Sequence, residues 1–201
     1  MPKIPKHLQK TSITNKLKSL TTEIVDRPVN ANPSILLHPQ IPKPMHSMAP
    51  RVVLGQAWWN KEREAAYASS SYHCEACGVA KWEAKYHQWL EAHETYDINY
   101  IKGTMTYLRS VALCHYCHNF IHCGRLQWLL DTHRINHQKY VAIIQHGEAI
   151  LAKAGLEKPK PYAGPFADWK KWRLIINGKK YPGKFKSYDD WLKQQGQLTG
   201  E

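Results

Sequence analysis

The chain has no apolar run of about 18 residues, the minimum for a membrane-spanning helix, so neither a span nor a membrane partner is expected. Its opening residues, Met1-Pro-Lys-Ile-Pro-Lys, lack the apolar stretch and small-residue cleavage site of a secretory signal. The expected setting is therefore the reducing cytoplasm. There, clustered cysteines bind metal more readily than they form disulfides. No internal repeat is present. Acidic side chains are scarce, with 16 Asp+Glu against 28 Lys+Arg, for a formal net charge of +12.

The basic excess is unevenly spread. Residues 1–51 hold 8 basic and 2 acidic side chains, residues 52–156 hold 10 and 9, and residues 157–201 hold 10 and 5. Both flanks are strongly basic and the middle is nearly neutral. Lysine and arginine release counterions from phosphates, so basic flanks suit a polyanionic partner, namely nucleic acid. A second copy of the chain, or a protein partner held through the arms, is the alternative use for them.

Residues 1–51 contain 8 of the 12 prolines. Proline removes backbone donors and blocks helices and central strands. This segment reads as an extended or disordered basic arm, with a short helix near Thr14–Ile24. Residues 52–156 read as the folded core. Gln56–Ala68 has helical composition, His87–Thr95 and Thr104–Leu113 read as strands, and a short helix is expected over Cys117–Cys123. Tyr140, Ile143, Ile144, Ile150 and Leu151 recur at helical spacing ahead of Gly155. Residues 157–167 read as a linker. Residues 168–201 read as a small basic unit, with a hairpin around Asn177-Gly178 and a capping box at Ser187-Tyr-Asp-Asp190. The expected class is α+β.

Two Cys-x-x-Cys pairs carry the strongest signal, Cys74/Cys77 and Cys114/Cys117. Structural zinc takes four ligands tetrahedrally, and thiolates are a preferred set. A two-stranded hairpin is marginal in water, and a metal staple would pin both of its ends. His73 and His115 flank the pairs and are substitute ligands that four cysteines make unnecessary. Cys123 is left as a packed or free thiol. Between and after the pairs lie His93-Glu94 and, on the expected helix, His118 and His122. The last two are i and i+4, so their rings share one face, a geometry that suits a metal ion or a phosphate.

The string Cys-x2-Cys, Leu90-Glu-Ala-His93-Glu94, Ala112-Leu-Cys114-x2-Cys117-His118-Asn-x-Ile-His122 resembles the HNH endonuclease family in its four-cysteine, zinc-stapled form. The likeness spans about residues 72–123. It implies a ββα-metal core and DNA cleavage, as in phage, mobile-element or restriction enzymes. The hydrolysis would need a divalent ion, Mg²⁺ or Mn²⁺. By position, His118 would be a ligand of that ion, and His122 a second ligand or a phosphate contact. Two registers are open on the strand. In one, His93 is the general base and Ala92 stands at a ligand position. In the other, His93 completes a three-histidine site and Glu94 is the base. The first is preferred because imidazole titrates near neutrality. The family's middle asparagine is replaced by Arg109, a candidate phosphate contact.

In the basic tail, Lys179, Lys180, Lys184 and Lys186, with Trp169, Trp172 and Trp191, form either a nucleic-acid clamp or a mini-core with a solvated rim. Two other functions compete with the endonuclease. One is a zinc-stapled nucleic-acid-binding module without catalysis, and the other is an assembly protein that keeps the fold only for structure.

Overall fold

The computed structural model describes residues 30–199, with side chains to 194. The expected helix near Thr14–Ile24 lies outside the described residues. The fold is α+β: one small four-stranded sheet with helices packed around it. Strands β1 (Glu91–Asn99) and β2 (Thr104–Leu113) form an antiparallel hairpin, followed at once by helix α3 (His115–Ile121). Helices α1 (Pro50–Leu54) and α2 (Gln56–Ser69) precede the hairpin; α4 (Cys123–Asp131) and α5 (His137–Lys153) follow. Strands β3 (Arg173–Ile176) and β4 (Lys179–Pro182) and helix α6 (Tyr188–Thr199) close the chain.

The first strand begins at Glu91, four residues later than its composition suggests, because the residues before it bend through Tyr86 at φ 80°. His93 pairs with Val111 and Glu94 with Ser110; the register then slips between Thr95 and Tyr96, leaving Leu108 as the extra residue of a bulge. The helix expected over Cys117–Cys123 starts two residues earlier, at His115, and a second helix takes over from Cys123.

Two apolar clusters flank the sheet. One gathers Leu90, Val111, Leu113, Phe120, Leu126 and Ile143 around the cysteines. Helix α5 meets α3 here through Gly147, where a Cβ would collide with the Phe120 ring, so only glycine allows this approach. The second cluster joins Met45, Tyr96, Met105, Trp172, Leu174 and Ile176.

Both flanks take part in this packing. Residues 30–49 depart from the extended arm expected of them. They make 3-10 turns at Pro33–Leu37 and Lys43–Met45 and bury Ile35, Leu36 and Met45. Prolines set the turns, while the apolar residues between them supply the burial that holds the segment down. The C-terminal hairpin turns at Asn177-Gly178, both residues with positive φ, as a tight hairpin turn demands. Strand β3 adds in parallel to β2, pairing Thr104 with Arg173 and Thr106 with Ile175. The segment before it also docks: the Ala167 N–H donates to the Tyr100 carbonyl at 2.8 Å, and Tyr162 stacks on Tyr100. At the start of α6, the Asp190 N–H donates to Ser187 Oγ at 3.2 Å, the capping bond its sequence predicts. Trp191 Nε1 donates to His46 at 3.0 Å, tying the tail to the proline-rich segment. No helix among the described residues is long and apolar enough to cross a membrane.

Candidate metal centre

The four cysteines converge. Their sulfurs lie within 4.8 Å of one another, and Cys77 and Cys114 approach to 3.9 Å. The first pair sits on a tight turn in which the Cys74 N–H donates to the Val79 carbonyl and the Gly78 N–H to the Cys74 carbonyl. Gly78 stands at φ 79°, a left-handed conformation that suits glycine. The second pair lies at the junction of β2 and α3, with Cys114 capping the helix and Cys117 in its first turn. Glu75 fastens the two turns together. Its backbone N–H donates to the Ala112 carbonyl, its Oε1 accepts from the Ala112 N–H, and its Oε2 accepts from Arg109 at 2.7 Å.

Cys74, Cys114 and Cys117 are buried. Hydrogen bonding from Cys114 draws the Cys74 and Cys77 thiols down, while Cys114 also pushes Cys117 up. Four thiols this close cannot all ionise alone, and a divalent cation resolves the conflict. His146 Nε2, on α5, lies 3.5 Å from Cys117 Sγ, placed to donate to a thiolate as outer partners of metal sites do. The cluster can hold a zinc ion by its donor set, burial and spacing.

Helix α3 leaves this cluster carrying His118 immediately after Cys117, and His122 caps its end. Because Cys114 and Cys117 fix the start of the helix, they also fix these two rings relative to β1. His93, Val111's partner in the hairpin, points to the same spot. Ligand-capable nitrogens of His93, His118 and His122 lie within 4.8 Å of one another, and His93 Nδ1 is 3.2 Å from His122 Nε2. Two ligands of one ion with bonds of 2.0–2.1 Å stand roughly 3.0–3.4 Å apart, so the spacing suits a shared cation.

Two of the rings, His93 and His122, are held in the neutral state. Burial pushes His93 far below the ordinary imidazole range, and the neighbouring His122 and His118 add to this. Burial lowers His122 to about 3, helped by His118. Neutral imidazoles are the form that ligates metal.

A carboxylate organises the cluster. Glu91 lies two residues before His93, hence on the same strand face. Its Oε2 accepts a short hydrogen bond from His118 Nδ1, and its Oε1 accepts from His115 Nδ1 at 2.7 Å and His87 Nε2 at 3.1 Å. Burial opposes its ionisation, but the bonds from His115 and His118 hold its carboxyl well below the usual range. The bond to His118 Nδ1 leaves His118 Nε2 as the lone pair for a metal, the carboxylate–histidine arrangement of metal sites. His38, from the proline-rich segment, closes the far side. Its ring meets that of His93 at 5.1 Å, and its Nε2 accepts from the Tyr96 N–H at 2.8 Å.

Burial lowers His38 to about 4, against the hydrogen bond from Tyr96, which raises it. A histidine held neutral in the fold contributes stability that is present above its unfolded value of about 6.5. That stability is lost as pH falls towards about 4. Melting temperature should fall over this window. His38→Gln, whose amide oxygen can accept the same bond without titrating, should show a shallower fall. An equal fall in both proteins, measured by thermal scans at stepped pH, would exclude His38 as a contributor.

The remaining residues singled out by sequence lie elsewhere. Glu94, adjacent to His93, projects to the other strand face by alternation. It is buried, with Oε1 free of hydrogen bonds and 3.7 Å from Arg51. Arg109 is engaged by Glu75, as described. Lys179, Lys180, Lys184 and Lys186 are exposed around the C-terminal hairpin, while Trp172 is in the core. Sequence reading did not assign Glu91, His115, His87 or His38 to this centre. The i−2 relation of Glu91 to His93 was a usable signal. His38 had none, because it arrives from a distant segment. Comparison with protein-family models, curated proteins and solved structures gives no match.

Proposed function

We propose that the chain is a metal-dependent DNA endonuclease of HNH type, built on a ββα-metal core. The convergence of His93, His118 and His122 beside a four-cysteine cluster, in the order strand, strand, helix, carries this reading. A divalent ion held there would polarise a phosphate oxygen and acidify an attacking water. Three imidazoles suit a borderline ion such as nickel or zinc better than magnesium or manganese, which prefer oxygen donors.

The protein's own contribution is to hold the three rings in place. Glu91 sets the tautomer of His118, and the cysteine cluster anchors the helix. This geometry favours the register in which His93 is a ligand; Glu94, the base that register names, lies on the other strand face 3.7 Å from Arg51, and its role rests on the Glu94→Gln variant. The test is a plasmid-nicking assay across divalent ions, with wild type against His118→Ala and Glu94→Gln. Cleavage by His118→Ala equal to wild type, or none by wild type with any ion, would overturn the reading. The alternation that turns Glu94 away from the triad favours a second reading, a zinc-stapled nucleic-acid-binding or assembly protein without cleavage. It predicts DNA binding that survives loss of all three histidines.

The lysines of the C-terminal hairpin would hold the DNA. Strand β3 joins β2 at Thr104–Thr106, the end of the sheet far from the triad. Seven residues of strand separate that end from Val111, about 20 Å, so the hairpin would meet the backbone several base pairs from the cut. Replacing Lys179, Lys180, Lys184 and Lys186 with glutamine should weaken binding and flatten its salt dependence. The log–log slope should become shallower by about 0.9 for each phosphate that is no longer neutralised. An unchanged slope in a salt titration would remove the hairpin from the interface.

A further inference from the structure

Glu91 Oε1 faces a second convergence of donors, separate from the three-histidine cluster. His87, on the loop before β1, and His115, in the first turn of α3, bring one nitrogen each. The three ligand atoms lie within 4.8 Å of one another. Two imidazoles and a carboxylate form the His₂Glu set of open catalytic zinc sites and the facial triad of other divalent ions.

Both imidazoles are held in place by ring stacking that does not involve Glu91. Trp89 stacks on His87 with ring centroids 3.5 Å apart and planes 4° from parallel, and Tyr86 stacks on His115 at 4.3 Å. The side chains of His87 and His115 are only 8% and 15% exposed. Tyr86 and Trp89 themselves stand 63% and 55% exposed, so the stacked pairs lie at the surface.

We propose that His87, Glu91 and His115 form a second metal site, for a borderline divalent ion such as zinc or cobalt. Glu91 keeps 24% of its side chain exposed, so the site reaches solvent. The carboxylate couples the two centres, since its Oε2 orients His118 of one while its Oε1 ligates in the other. Three ligands leave a coordination position for water or for an oxygen of a bound phosphate. The proposal does not depend on DNA cleavage.

The experiment counts ions on the full chain with zinc preloaded at the cysteines. The protein is dialysed against cobalt(II), and metal per chain is read by elemental analysis. Wild type should bind one more cobalt per chain than the His87→Ala/His115→Ala double variant. The His122→Ala change should remove a different ion, so that the two losses add. Equal counts in wild type and the double variant, or the same single ion lost in both variants, would overturn the proposal. Retained zinc and an unchanged circular dichroism spectrum show that the double variant is folded. If it is not, His87→Asn, altered only on the loop, decides. A loss of at least about tenfold in affinity for that one ion is expected, and unchanged affinity would refute the site.

Discussion

Removing metal from the four cysteines, or replacing Cys117 with serine, is expected to abolish cooperative folding. Structural zinc contributes apparent binding free energies of about 10–16 kcal/mol in small domains. A whole domain has a net stability of about 5–15 kcal/mol. Loss of the ion is therefore comparable to everything the fold retains. The location of the cluster makes the effect global. Cys74, Cys114 and Cys117 belong to the same apolar cluster as Phe120, Leu126 and Ile143. Without a cation, buried thiols would face each other in that cluster. The turn at Cys74–Cys77 and the entry of α3 would lose their common anchor. Thermal scans with and without a strong chelator, read by near-ultraviolet circular dichroism against zinc content, test this. A sharp transition at an unchanged midpoint in metal-free protein would show that apolar packing suffices.

The second large effect belongs to the histidines. His118→Ala should lower metal-dependent nicking by about 10³-fold or more, within the range typical of lost catalytic machinery. The fold should survive, because the cysteine cluster remains filled. His122→Ala should behave alike, and the double variant should be little worse than either single one, since ligands of one ion act as a unit. Glu91→Gln should cost less, about 10–100-fold, because it acts on that ion by orienting His118. Zinc content and melting temperature separate these losses from unfolding. Single variants that cut like wild type would leave the triad without a catalytic role.

The physical reason for this separation lies in how the two centres are supported. The cysteine cluster is bound by two local turns, and Glu75 clips one to the strand carrying the other. The histidine triad has no local turn of its own. It exists because α3 begins at Cys114 and ends at His122, while β1 presents His93 across the hairpin. The first centre therefore sets the geometry of the second, and the reverse dependence is weak.

Local features could be read directly from the chain. The two Cys-x-x-Cys pairs announce a four-thiol cluster, because a short turn forces both sulfurs to one side. The spacing of His118 and His122 puts their rings on one helical face. Asn177-Gly178 marks a hairpin, since both positions need positive φ, and Ser187 marks a helix start by its hydroxyl. Each of these rests on interactions within a few residues.

What the tertiary structure alone decided involves distant pairings. The proline-rich segment 30–49 reads as an arm, yet Ile35, Leu36 and Met45 find cavities between sheet and helices that sequence cannot show. The C-terminal hairpin reads as a separate unit, yet β3 completes the sheet by parallel pairing with β2. His38 reaches His93 across more than fifty residues of chain. Glu91 shares the strand face of His93 by simple alternation, but only the packing of α3 and the His87 loop makes it the carboxylate shared by three histidines. Chain order gives the ligands of the cysteine cluster, because those are paired locally. The ring of histidines around Glu91 depends on which surfaces the folded elements press together.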